Sequence, residues 1–193
     1  REYFPLPKVV NSLFNLCSTL FKIDIIERSN VHTWHKDVKF YDIFDESCNS
    51  PIAGFYFDPY ARQDEKIRVY DDAGWHISIR NKSTSTSTSP LSALIFNFQP
   101  PTESKPSLLT FHEVNVLFQR FGHSLRHLLT RANYSEVAGL SNVEWDAAGV
   151  CGHVMTHWLY DPHTISAVSG HHSTGEPLPD SIAQNLRRVR YHM

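Results

Sequence analysis

Histidine is the residue type with the most to offer chemically. The chain carries twelve in 193 residues, and two pairs stand four apart, His123 with His127 and His153 with His157. On a helix that spacing places both imidazoles of a pair on one face, the start of a metal site. A hydrolytic zinc centre also needs a further ligand and a carboxylate to activate the metal's water, and Glu144 and Asp146 are the carboxylates near in sequence. His112-Glu113 opens like a zinc-hydrolase helix, but Val116 stands where the second histidine belongs. Glu113 is better explained as the third residue of a capping box begun by Thr110. Cys151 lies two residues from His153, a spacing that points them to different helix faces, so a thiol-imidazole pair is not expected and Cys151 is read as a packed core residue. A glycine-rich phosphate loop, a serine nucleophile elbow and a Cys-x-x-Cys pair are absent from the sequence.

The stretch that organises the chain is Pro106-Ser-Leu-Leu-Thr-Phe-His-Glu-Val, continuing through Phe118-Gln-Arg-Phe-Gly-His123 to His127. Further blocks are Glu2-Tyr-Phe-Pro-Leu-Pro-Lys8, Trp34-His-Lys-Asp-Val38, Phe55-Tyr-Phe-Asp-Pro-Tyr60, Asn142-Val-Glu-Trp-Asp-Ala147 and Ser169-Gly-His-His-Ser-Thr-Gly-Glu-Pro-Leu-Pro179. Together, and in this order, they resemble the thimet oligopeptidase and oligopeptidase A family of zinc metallopeptidases, in its plant-organelle or bacterial branch. The likeness spans nearly the whole chain except about residues 67–92.

The resemblance implies a zincin-like α+β core, a small antiparallel or mixed sheet followed by a helical half, and it implies where the family's zinc site falls. Gln119 occupies the first histidine ligand's position, Arg120 the general-base glutamate's, and His123 the retained second ligand's. Gly149 follows Trp145-Asp-Ala-Ala148 where the family completes its site with a glutamate. An amide is a poor zinc ligand and a guanidinium stays charged and repels a cation. The expectation is a degenerate fragment that neither holds zinc nor hydrolyses peptides, needs no other cofactor, and keeps a binding or structural role. The alternative is an active zinc endopeptidase with ligands from a partner or from a displaced site. In the family the two helices face each other across the metal, so His123, His127, His153 and His157 are that site's candidates.

Length suits one domain with a real core. A net charge of -2 and a pI near 6.7 give no electrostatic case for nucleic acid or an anionic membrane, and Arg187-Arg-Val-Arg190 reads as a solvated helix face. Three cysteines at unrelated spacings do not make a disulfide framework, which points to a reducing intracellular compartment: cytosol, plastid or mitochondrion. No apolar run has the length of a membrane span. The chain opens on Arg1, as a trimmed or excised piece would. By the resemblance, the family's helical cap and its substrate-contacting loop lie outside it. Residues 1–193 are thus expected to be a partial catalytic domain whose former cleft is apolar, open to a protein partner that replaces the missing lobes, or to peptides.

Apolar periodicity predicts an amphipathic helix over 7–21, a strand at 23–26, and a hairpin of strands 38–44 and 52–57. Residues 61–90, with the tract Ser83-Thr-Ser-Thr-Ser-Thr-Ser89, read as a mobile loop. The strand 91–98 follows, and the resemblance makes it the edge along which zincins lay a peptide. Residues 1–100 thus hold a helix and sheet, and 106–193 a helical part: a helix capped by Thr110, another over about 145–160, a third from Pro162 to about 168, and a last over about 180–191.

Overall fold

The computed structural model describes residues 1–62, 65–66 and 74–190, the last two by backbone alone. The chain is a mixed α+β structure. Five strands, β1 (Ile23–Glu27), β2 (Lys39–Asp45), β3 (Ala53–Tyr60), β4 (Gly74–Arg80) and β5 (Leu91–Phe98), form one sheet of order β1-β2-β3-β5-β4. β3 and β5 run parallel and the other neighbours antiparallel.

Alternation along β3 and β5 turns Phe55, Phe57, Leu94, Phe96 and Phe98 to one face, where all are buried. Helix α1 (Leu6–Phe21) and helix α2 (Phe111–Leu128) cover that face. Phe121 of α2 meets Phe14 of α1 at 5.7 Å and Phe55 at 5.6 Å between ring centroids, closing a three-way contact of the two helices and the sheet. The predicted capping box is present: Glu113 N–H donates to Thr110 Oγ1 at 3.1 Å, and Thr110 N–H to the Glu113 carboxylate at 2.7 Å.

The loop expected over 61–90 is partly strand. Trp75, Ile77 and Ile79 alternate with His76, Ser78 and Arg80, and this period-2 segment pairs antiparallel with β5 as β4. Residues 63–64 and 67–73 of the expected loop lie outside the described residues. The serine and threonine tract is a tight turn bridged at Ser83 and Thr88 and tied by Thr84 N–H to Asn133 O at 3.0 Å. β4 therefore takes the edge, and β5, expected there, is interior.

The helix expected over 145–160 is two: α3 (Trp145–Ala148) and α4 (Val150–Trp158), broken at Gly149. A continuous helix would spend the Ala147 and Ala148 carbonyls on its own next turn. Here Arg126 Nη1 donates to Ala147 O at 2.8 Å, and His123 bonds the backbone of Ala148. α5 (Pro162–Val168) and α6 (Asp180–Arg190) complete the chain close to the predicted limits.

One buried charge cluster pins the sheet. The register between β3 and β5 shifts at Pro59, which has no N–H to pair. Lys66 Nζ gathers the carbonyls of Asp58, Tyr60 and Phe96 at 3.2, 2.7 and 2.9 Å and the Asp58 carboxylate at 2.7 Å. Arg62 grips both Asp58 oxygens at 2.8 Å, and Trp34 Nε1 donates to one at 2.9 Å. Burial raises the Asp58 carboxyl's proton affinity, but these donors outweigh it and hold the group below the ordinary carboxylate range. Asp58→Asn leaves two cations facing a neutral amide, and is expected to cost about 3–5 kcal/mol of unfolding free energy, read by urea denaturation. A loss under about 1 kcal/mol would show that the cluster does not hold the sheet.

Candidate functional site

The site is built where α2 crosses α4. Both helices place a buried glycine at the crossing, Gly122 and Gly152. A Cβ on Gly122 would stand 2.5 Å from Cys151 O and 2.9 Å from Gly152 Cα, and one on Gly152 would stand 2.6 Å from His123 Nε2 and 2.9 Å from Gln119 O. Backbones this close admit no side chain between them. The His123 ring and the Gln119 carbonyl, one turn apart on α2, are thereby brought against Gly152 of α4.

His123 is half-buried and bonds the backbone of Ala148, next to Gly149. Burial, with Arg120, His153 and Arg126 nearby, depresses its proton affinity against that bond. Gly149 has only ordinary contacts at its open position: the His153 ring lies 3.4 to 3.5 Å from where a Cβ would sit. His123 and the backbone of Gln119 thus lie against Gly152, three residues along the chain from Gly149. Arg120 reaches β4, where its Nε donates to Gly74 O, the first residue of the strand, at 2.8 Å.

The four-histidine arrangement is not assembled. His127 is fully buried against the sheet, its Nε2 3.0 Å from Arg80 O and 3.2 Å from Leu91 O, with Ser78 Oγ 3.1 Å from Nδ1. His153 and His157 are exposed on α4. Glu144 and Asp146 are exposed on or beside α3. Among the described residues no three or more histidine, cysteine, aspartate or glutamate side chains are grouped to hold a metal ion. Cys151 is half-buried rather than sealed in the core.

A residue of the segment expected to be loop belongs to this region. His76 of β4 faces α2, with its ring 5.9 Å from that of His127 and its Nε2 buried without a hydrogen-bond partner. Burial, then His127, His123 and Arg120, push its pKa down to about 4. The alternation of β4 was the signal that could have placed it.

Residues 1–193 match the profile of Peptidase family M3 from end to end. The chain belongs to Peptidase family M3. It is 40% identical to the probable cytosolic oligopeptidase A of Arabidopsis thaliana over 98% of this chain and 27% of that protein. It is equally 40% identical to oligopeptidase A of Haemophilus influenzae (98% and 28%), and 37% identical to that of Escherichia coli (96% and 27%). The chain therefore spans about a quarter of the length of the curated relatives it matches. Among the described residues no helix is long and apolar enough to cross a membrane.

Two measurements test this geometry. Gly122→Ala drives a methyl into backbone that cannot turn aside, and is expected to lower stability by about 1–3 kcal/mol, read by chemical denaturation. Wild-type stability should also fall with acid. His76 binds its proton less readily folded than unfolded, so its stabilising contribution is whole above pH 6.5 and lost as pH falls from there through about 4. At about 1.4 kcal/mol per tenfold change in proton affinity, this amounts to on the order of 3 kcal/mol. His76→Gln should flatten the slope of urea midpoint against pH in that interval, and an unchanged slope would remove His76 as its source.

Proposed function

We propose that this chain is a zincin-like part of an M3 catalytic domain that does not carry out the family's zinc-dependent peptide hydrolysis. Its remaining role is to bind or support a protein or peptide partner. The observation that carries the reading is the seat of Arg120. A permanent cation, tied to Gly74 O, stands near the one imidazole left at the expected ligand positions and, after burial, is the next cause lowering that imidazole's proton affinity. A divalent ion placed against His123 would meet the same repulsion.

The other positions do not supply what a zinc centre needs. Gln119 offers a neutral amide, Gly149 offers no side chain, and no carboxylate in this set could activate water. The residues present do not fit the ion.

Support for a binding role comes from surface that is apolar and open. β4 is an edge strand whose Ile77 and Ile79 are exposed, and an edge strand can accept an extended peptide by backbone pairing alone. Trp145 on α3 is 95% exposed, and Val150 and Val154 on α4 are half-exposed, which suits contact with a partner or with further chain.

The deciding experiment compares the wild type with a variant carrying Gln119→His, Arg120→Glu and Gly149→Glu. A Cβ at position 149 meets only the exposed His153 ring, at ordinary contact distance. Wild type is expected to hold well under one equivalent of zinc after dialysis and to leave a quenched fluorogenic peptide uncut, while the triple variant gains about one equivalent. Stoichiometric zinc and turnover in the wild type, both lost on His123→Ala, would overturn the proposal.

A further inference from the structure

We infer that His153 and His157 form a surface chelate for a divalent transition-metal ion, separate from the positions compared with the family's zinc site. Both side chains are exposed on α4, a helix of nine residues. Four apart on a helix, their Cβ atoms stand about 5–6 Å from one another, within the span of two imidazole nitrogens on one metal. Both line the same open recess of about 580 Å³, with Val150, Val154, Trp158 and Asp161.

Two further features favour a cation here. His157 lies in the last turn of α4, where the helix dipole presents its negative end. Asp161 adds a carboxylate to the recess, and the His163 and Thr164 backbone amides donate to its Oδ2 at 3.0 and 2.9 Å. Asp161 serves as a nearby negative charge, leaving the two imidazoles as protein donors and the remaining coordination positions to water. The His153 ring now leans over Gly149, so chelation requires this exposed side chain to swing toward His157.

A site with two nitrogen donors and open water positions selects borderline metals: Cu²⁺ first, then Ni²⁺ and Zn²⁺, with Mg²⁺ excluded by its demand for oxygen ligands. The chelate uses none of residues 119, 120 and 149.

The test is calorimetric titration of the whole chain with Cu²⁺, Ni²⁺, Zn²⁺ and Mg²⁺, with electron paramagnetic resonance on the copper form. One equivalent of Cu²⁺ should bind with nitrogen hyperfine coupling, and His153→Ala or His157→Ala should each weaken it at least tenfold. His157→Gln, which keeps polarity and bulk, should do the same, and circular dichroism confirms that each variant is folded. His123→Ala and the double variant His171→Ala/His172→Ala should stay within twofold of wild type. Copper and nickel affinities unmoved by the α4 variants, binding lost on His123→Ala, or no binding at millimolar metal would each overturn the assignment.

Discussion

The contact on which the rest depends is glycine against backbone at the crossing of α2 and α4. With no side chain at 122 or 152, α2 comes near enough for its own side chains to reach main-chain carbonyls on the neighbouring segment. Arg126 takes Ala147 O and His123 bonds at Ala148, which breaks the run of residues 145–158 into two helices at Gly149. Gly149 itself keeps right-handed helical dihedrals, φ -78° and ψ -17°, and the open position on its Cα meets the His153 ring. A larger residue at either glycine would separate the helices, restore those carbonyls to helical bonding and dissolve the site's geometry at once.

α2 also holds the sheet's open edge. Its Arg120 fixes Gly74 O at the start of β4, and its His127 lies against Arg80 O at the end. The second contact falls where the register between β4 and β5 shifts from Ser78 to Arg80, so a buried imidazole satisfies carbonyls that the irregular ladder leaves over. The far side of β5 is treated in the same way. There the irregularity at Pro59 leaves its carbonyls to the Lys66 ammonium. At both places the sheet departs from regular pairing, and at both a basic side chain brought from elsewhere answers the unpaired oxygens.

Much of this was legible in the sequence because local chemistry and final structure agree. Thr110 and Glu113 announce the start of α2, Pro162 the start of α5, and the apolar stripe of 7–21 the face that α1 buries. The low-complexity tract 83–89 masks its neighbour, since its polarity gives the whole of 61–90 the look of a loop although Gly74–Arg80 alternates as a strand should. From this came the placing of β5 at the edge, since strand order depends on long-range pairing that no local pattern reports. The break at Gly149 was hidden for a related reason. Residues 145–160 are good helix text by themselves, and the competitors for their carbonyls lie about twenty residues earlier on α2.

Arg120 ties the architectural and functional readings together. Its bond to Gly74 O makes it part of the attachment of β4, and its charge bears on His76 and His123 at the same time. A glutamate at the same position would offer that carbonyl oxygen no donor and would meet it with like charge. An active-site carboxylate at 120 and this anchorage of β4 are therefore alternatives that one side chain cannot combine. On the proposed reading, the substitution gave the edge strand a donor in place of a base, so the open strand and the silent metal position are two consequences of one guanidinium.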